Sequence, residues 1–179
     1  MPLLAESLVD EWLNRQGFFT VRGIRDGVDE IDLLGVRPTP TGLQAWHVEV
    51  QVSFRPIGYI TKMTEQIATQ KGAKSRSAVS RRTDSELSEC VSAWVEHKFK
   101  KDRKVAARER CWSSLSWEFH LIHGVAKYPN ELDLIAALGV TITPLHSVLR
   151  DLCVRTPGST QGAAGTDISD MINYFQNHQ

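Results

Sequence analysis

The sequence predicts an α/β domain in which a mixed central sheet is flanked by helices. Helical and strand-like periodicities follow one another in the order α-β-β-β-α-(α)-β-α-β-α. Three consecutive strands followed by a helix and a further strand favour a mixed sheet over a doubly wound parallel one. Hydrophobic residues make up 41% of the 179 residues, which is enough for one domain with a core of its own.

The first third of the chain predicts one helix and three strands. Apolar residues recur at helical spacing over Leu3–Gln16, and Gly17 stands where a helix C-cap is expected. Residues that favour β-structure then predict strands at Phe18–Ile24, Glu30–Arg37 and Leu43–Phe54. Asp-Gly at 26–27 is a turn signal, and Pro-Thr-Pro-Thr-Gly at 38–42 closes a hairpin.

The rest of the chain alternates between helices and strands. A helix is predicted from Ile57 or Tyr59 to Lys71, followed by a loop at Gly72–Ser88 that is rich in Ser, Arg and Lys. A long helix is predicted at Glu86–Arg108. The last elements are a strand, a helix, a short strand and a short helix, at Trp117–Val125, Asn130–Leu138, Val140–Thr143 and His146–Leu152.

One domain is expected over residues 1–155, with the basic helical segment 61–110 as an insertion. A Gly/Ser/Thr-rich linker follows at 156–165, and a C-terminal helix at 166–179. The apolar stripe of that helix consists of Ile168, Met171, Ile172 and Phe175. Such a stripe predicts docking on the helix's own domain or on a twin subunit, so a homodimer is one expected arrangement.

Composition narrows the class of protein. No apolar run reaches the ~18–20 residues that a membrane span needs, and the N-terminus lacks the pattern of a secretion signal. Three cysteines at wide spacing predict reduced thiols in a cytoplasm and not a disulfide framework. No glycine-rich phosphate loop, nucleophile elbow or dinucleotide fingerprint is present, which gives nucleotide hydrolysis, serine hydrolysis and dinucleotide chemistry no support.

Charge is unevenly distributed although the formal net charge is zero. Residues 61–110 hold 13 Lys or Arg against 7 Asp or Glu, and the rest holds 8 against 14. This asymmetry predicts one surface for phosphates and another for cations, although a solvated surface with patchy charge explains it as well. The candidate nucleic-acid-binding residues are Lys71, Lys74, Arg76, Arg81, Arg82, Lys98, Lys100, Lys101 and Lys104.

The third strand is the most informative segment. Valines occupy one face of it, whereas His47, Glu49 and Gln51 occupy the other. Asp32 stands in the middle of an apolar run in the second strand, where a buried carboxylate costs several kcal/mol unless something pairs with it. A hairpin brings Asp32 and Glu49 side by side, within reach of one hard cation.

The segment Gly27-Val-Asp-Glu-Ile-Asp-Leu-Leu-Gly35, a hairpin, and then His47-Val-Glu-Val-Gln51 resemble the PD-(D/E)XK nuclease superfamily, particularly its small Holliday-junction resolvase-like branch. The resemblance covers roughly Leu3 to Leu152 and is close only over the first 55 residues. It implies a restriction-endonuclease-like αβββαβ core. It also implies that Asp32 and Glu49 bind Mg²⁺ or Mn²⁺, and that Glu6 on the first helix completes the catalytic site.

The sequence departs from the family pattern at the motif lysine, which is Gln51 here. A Gln amide can hold a water but carries no charge. Within the family the basic residue can lie on the following helix, which makes Lys62 the candidate surrogate; Arg55 and Gln66 are weaker candidates. Each of them is also explained as an ordinary surface residue.

The other groups of His, Cys and Trp residues indicate structural roles more than chemical ones. His120 and His123 face opposite sides of a strand, and Cys90 and His97 lack further metal ligands. The five tryptophans are predicted to be core residues and not base-stacking platforms.

Two function classes follow from the resemblance and the charge. The first is a Mg²⁺-dependent nuclease that hydrolyses phosphodiester bonds, with DNA as the expected substrate. The second is a protein that kept the fold but lost catalysis, and that binds nucleic acid or serves as an interaction subunit. The missing lysine favours the second class, whereas the retained carboxylates favour the first.

Overall fold

A computed structural model describes residues 2–53 and 58–153 of the chain. In this part of the chain, the strands follow the order that the sequence predicts, whereas two of the predicted helices differ in extent. The bounds of the helices and strands are α1 Pro2–Arg15, β1 Phe19–Asp26, β2 Asp29–Thr39, β3 Gly42–Gln51, α2 Glu65–Gln70, α3 Asp84–Val95, a π-helical turn Glu96–Lys100, α4 Asp102–Cys111, β4 Trp117–His123, α5 Pro129–Ala137, β5 Val140–Pro144 and α6 Leu145–Cys153.

The five strands form one sheet in the order β1-β2-β3-β4-β5. The first three strands are antiparallel neighbours, whereas β3, β4 and β5 run parallel to one another. Three hydrophobic clusters cover the sheet, one with residues of α1 and α6, one with residues of α3 and α5, and a smaller one with Ala107 of α4. The predicted mixed sheet flanked by helices is therefore confirmed.

The long helix predicted at Glu86–Arg108 is wrong as a single element. A capping box of Thr83 and Glu86 begins α3, which ends at Val95 and passes into the π turn. Lys101 then leaves helical geometry with φ −54 and ψ 138, and α4 starts at the next residue. In a regular helix, residues six apart point about 120° away from each other. The interruption lets Lys98 and Lys104, six positions apart, reach the same side chain, Glu49.

The helix predicted from Ile57 or Tyr59 to Lys71 is also too long. Only Glu65–Gln70 is helical, with Thr64 as its N-cap. The carbonyl of Thr61 accepts a hydrogen bond from Arg82 at 2.9 Å, so a contact from a distant part of the chain occupies a group that a helix would use itself. Lys62 therefore lies in an irregular segment before α2 and not on a helix.

A buried carboxylate of α5 holds this segment in place. Glu131 accepts hydrogen bonds from the backbone N–H groups of Ile60 at 2.7 Å and Thr61 at 2.9 Å, and from the Thr61 hydroxyl at 2.6 Å. The guanidinium of Arg82 lies 4.0 Å from the same carboxylate and is as completely buried.

We expect Glu131→Ala to lower the free energy of unfolding by about 3–5 kcal/mol, because it leaves a buried cation and two buried backbone donors without their acceptor. Urea unfolding of the variant and the native protein measures the difference. Asp133→Ala, which removes an exposed carboxylate from the same helix, is the control and should unfold close to the native midpoint. Equal midpoints for both variants would contradict the assignment.

The predicted linker at 156–165, the predicted C-terminal helix at 166–179 and Arg55 lie outside the described residues. Within the described ranges, no helix combines the length and apolar character that crossing a membrane requires.

Candidate active site

The two acids singled out in the sequence lie next to each other on adjacent strands. Leu33 of β2 pairs with Val48 of β3, so Asp32 and Glu49 are the next residues along the same register. The Asp32 carboxylate accepts a hydrogen bond from the backbone N–H of Val50 at 2.7 Å. This bond fixes one carboxylate oxygen against the neighbouring strand.

The environment of Asp32 disfavours its charged form. Burial, together with the negative charges of Glu49 and Glu6, raises its pKa to about 7, although Lys98 and the Val50 hydrogen bond act in the opposite direction. Glu6 is half-buried on α1, and its negative charge makes a smaller contribution to the raised pKa of Asp32 than burial and Glu49 do. The structure thus places two of the residues predicted from sequence, Asp32 and Glu49, next to each other.

Glu49 is fully buried and held by three polar side chains. Lys98 Nζ lies 2.5 Å from its Oε2, while Lys104 Nζ at 3.1 Å and His47 Nε2 at 3.2 Å approach its Oε1. Burial raises the pKa of Glu49, but the His47 hydrogen bond and the two lysine charges outweigh that effect and hold the pKa at about 2. The polar face of β3 is therefore not a solvated strand face.

His47 links Glu49 to a second buried cation. Arg108 Nη1 donates to His47 Nδ1 at 2.8 Å and to the Phe99 carbonyl at 2.7 Å. Because a guanidinium can only donate, Nδ1 of His47 accepts, which leaves its proton on Nε2 to donate to Glu49. Burial above all, with the Arg108 and Lys104 charges, lowers the pKa of His47 to about 4 despite the Glu49 contact, so this ring is neutral at physiological pH.

Among the described residues, Gln51 and Lys62 make no hydrogen bond or ion pair with Asp32 or Glu49. The Gln51 amide Nε2 donates to the Ile60 carbonyl at 2.8 Å and so ties the end of β3 to the segment before α2. Lys62 is exposed, and none of its described contacts is with Asp32 or Glu49. Two lysines contact Glu49, Lys98 of the π turn and Lys104 of α4, and the charge of Lys98 also acts on Asp32.

Several of the predicted nucleic-acid-binding residues are engaged inside the protein. The expectation of a surface contact is wrong for Arg82 and Lys104, which are buried and hydrogen-bonded to Thr61 and Glu49 respectively. Lys71 pairs with Glu86 at 2.9 Å, and Lys101 pairs with Asp29 at 2.8 Å. The remaining exposed cations of this set are Lys74, Arg76, Arg81 and Lys100.

Sequence reasoning placed Lys98 and Lys104 on a phosphate-binding surface and gave His47 and Arg108 no role. Their contribution depends on the π turn and on the break at Lys101, which redirect side chains of two helices toward β3. Helical periodicity carries no signal for such a redirection. The only local hint was the alternation of β3, which places His47 on the same face as Glu49.

Two clefts open beside Gln51, at the end of β3. One, of about 460 Å³, is lined by Gln51, Ile60, Lys62, Arg76, Ala93, Trp94, His97 and Lys98. The other, of about 410 Å³, is lined by Gln51, Gly58, Tyr59, Ile60, Thr61, Lys62, Ser77, Ala78, Val79 and Arg82. They share Gln51, Ile60 and Lys62, and neither lining includes a carboxylate.

The other candidate residues of the sequence differ in their surroundings. His120 stacks on Trp46 with ring centroids 3.9 Å apart, whereas His123 contacts the Gly124 carbonyl. Cys90 is buried and His97 is exposed. Among residues 2–53 and 58–153, no three His, Cys, Asp or Glu side chains are grouped so that they could hold a metal ion.

Comparison with family models, curated proteins and solved structures finds no match to this chain.

Proposed function

We propose that this protein is a metal-dependent nuclease that hydrolyses phosphodiester bonds of nucleic acid, with DNA as the expected substrate. The element order α1-β1-β2-β3, followed by helices and β4, agrees with the αβββαβ core that the sequence resemblance implies. That resemblance also assigns the metal to Asp32 and Glu49, which are neighbours across β2 and β3. The proposal therefore joins the expected topology to the expected pair of acids.

The observation that carries the proposal is that Lys98 lies beside the carboxylate pair of Asp32 and Glu49. Position 51, where the nuclease pattern has a lysine, holds Gln instead. Asp32 and Glu49 repel each other, and Lys98 contacts Glu49 at 2.5 Å. Burial lowers the pKa of Lys98, but the charges of Glu49 and Asp32 outweigh it and raise the pKa, so the ammonium stays charged. Lys98 thus supplies from a helix the positive charge that Gln51 lacks.

The residues present suit a hard cation that keeps most of its water. Mg²⁺ in phosphate chemistry typically takes one or two carboxylates, with water and substrate oxygens as the other ligands, so a cage of three protein acids is not required. Asp32 would hold it with the oxygen that Val50 leaves available, and Glu49 would hold it with the oxygen that now accepts from Lys98. When bound, the ion supplies a Lewis acid that lowers the pKa of a bound water.

Side chains of the protein position the Glu49 carboxylate and supply the positive charge beside it. Arg108 and His47 keep the Glu49 carboxylate in one orientation through a chain of buried hydrogen bonds. Lys104 keeps Glu49 ionised, because it lies 3.1 Å from the same carboxylate and is itself buried. Lys98 also lines the larger cleft, where its ammonium can stabilise the negative charge that develops on a phosphate.

The test is cleavage of labelled linear, branched and single-stranded DNA with Mg²⁺, Mn²⁺ or EDTA. We expect metal-dependent cleavage by the native protein and none by Asp32→Asn, and calorimetry should show Mn²⁺ binding that the same variant loses. Asp133→Asn, an exposed acid remote from β2, is the matched control and should keep both properties. Mn²⁺ binding that survives Asp32→Asn would remove the metal site from this pair.

A second candidate is a catalytically inactive protein of the same architecture that binds nucleic acid or serves as an interaction subunit. One observation favours it: Glu49 is already neutralised by Lys98 and Lys104, so its charge is compensated without a metal. This alternative expects binding of nucleic acid with no cleavage in any metal, and no Mn²⁺ binding by the native protein. The same two measurements therefore decide between the candidates.

A further inference from the structure

We propose that the cleft between Lys62 and Trp94 binds one nucleotide of a single strand, with Lys62 and Arg76 on the phosphate and Trp94 against the base. The inference deepens the proposed nuclease function, on which it rests for the identity of the substrate. It implies that the strand is unpaired where it enters the site. A frayed end or a flap meets that condition, whereas the interior of a duplex does not.

The size and charge of the cleft suit a nucleotide. Its volume of about 460 Å³ falls within the ~300–1,000 Å³ typical of small-molecule sites, which suits one nucleotide and is too small for a double helix. Its lining includes Lys62, Arg76 and Lys98 but no carboxylate. An anion is therefore the ligand that this lining favours.

Lys62 and Arg76, the two cations of the cleft that lie away from Glu49, are placed to bind a ligand. Lys62 has no acidic partner among the described residues. Arg76 donates from Nε to the Met63 carbonyl at 2.6 Å, and its own carbonyl accepts from the Met63 N–H at 2.9 Å. This reciprocal pair fixes Arg76 beside Lys62. The guanidinium keeps further N–H donors with no described partner, which suits phosphate binding.

Trp94 supplies the aromatic surface. Its ring contacts Phe99 edge-on with centroids 5.9 Å apart, which orients the indole, and the half-buried side chain also lines the cleft. A base stacked on an aromatic ring gains about 1–3 kcal/mol without regard to its sequence. The cleft also adjoins Lys98 and Gln51, so a nucleotide held there lies next to the acids of β2 and β3.

The experiment measures binding in EDTA, where the proposed metal chemistry cannot occur. Fluorescence anisotropy of a 3′-labelled oligothymidylate should show binding at least about tenfold tighter than for a blunt hairpin duplex, and unlabelled thymidine monophosphate should compete for the cleft because it carries both the phosphate and the base. Lys62→Gln should weaken oligothymidylate binding by about tenfold, which corresponds to one charge-assisted hydrogen bond. Arg76→Gln should act in the same direction.

Matched variants separate the cleft from general charge. Lys74→Gln and Arg81→Gln remove exposed cations of the same loop that line neither cleft, and they should change binding far less. Trp94→Leu should weaken binding about tenfold, whereas Trp94→Phe should keep most of it. Native-like binding by Lys62→Gln, equal binding of the duplex, or no competition by thymidine monophosphate even in large excess would each overturn the proposal.

The binding result is independent of cleavage. A protein that passes this test but cuts no DNA loses the proposed nuclease function and keeps the single-strand site. A protein that cuts DNA while Lys62→Gln binds normally keeps the nuclease function and loses this site.

Discussion

Lys98→Ala should lower the single-turnover rate of DNA cleavage by about 10²–10³-fold, the typical cost of removing one electrostatic stabiliser of a transition state. Lys98 is expected to dominate because its ammonium lies 2.5 Å from Glu49 and lines the cleft at the same time. Lys62→Ala should affect the rate of the bound complex much less, since Lys62 does not contact either acid. Excess enzyme keeps binding defects out of the measured rate.

A rescue experiment makes this prediction specific. Gln51→Lys places an ammonium at the position where the family pattern carries one, so it should restore part of the activity lost in Lys98→Ala. Lys100→Ala is the matched control, because Lys100 is exposed two residues away and should leave the rate unchanged. An unchanged rate in Lys98→Ala, or a loss of equal size in Lys62→Ala, would contradict the assignment of the charge to the π turn.

Most of the fold follows from local patterns in the sequence. The order of helices and strands rests on periodicity and turn signals, which act over a few residues and so survive in the folded protein. The proximity of Asp32 and Glu49 needs only one further assumption, that β2 and β3 form a hairpin, and their antiparallel register agrees with it. For this reason the acids of the site could be located from the sequence.

The basic side of the site could not be located in this way because it depends on contacts between distant segments. Arg82 and Glu131 hold Ile60 and Thr61 in a non-helical conformation that propensity does not foresee. The π turn also depends on a distant contact. The direction that it gives to Lys98 is stabilised by an ion pair with Glu49, which lies 49 positions earlier in the chain. Helix propensity is a weak prior, and tertiary contacts of this kind override it.

The same electrostatics predict how stability should depend on pH. The pKa of Asp32 is about 7 in the folded protein against an ordinary value of 3.8, so between these values the native state binds more protons than the unfolded state. The free energy of unfolding therefore falls as the pH rises through this window and stays low above it. Asp32→Asn removes this penalty, and its amide oxygen can still accept from the Val50 N–H.

We therefore expect metal-free Asp32→Asn to be more stable than the native protein at pH 8, by on the order of 2 kcal/mol or about 4–8 °C in melting temperature. The advantage should shrink as the pH falls and disappear at about pH 3, below both pKa values, where Asp32 is protonated in both states. Asp29→Asn should show the opposite sign. The Lys101 hydrogen bond and nearby positive charges lower the pKa of Asp29, so its carboxylate stabilises the fold at neutral pH and loses that effect in acid.

Mg²⁺ links this stability effect to the proposed function. A cation that binds the folded state raises its melting temperature by mass action, and it requires the charged form of Asp32. Mg²⁺ should therefore stabilise the native protein at pH 8, do so much less at pH 5.5, and leave Asp32→Asn unaffected at either pH. Differential scanning calorimetry of both proteins with Mg²⁺ or EDTA measures these differences. If Asp32→Asn gains no stability at pH 8, the Asp32 carboxylate has an ordinary pKa. If the variant gains stability while Mg²⁺ has no effect on the native protein, the two acids destabilise the fold without binding a metal.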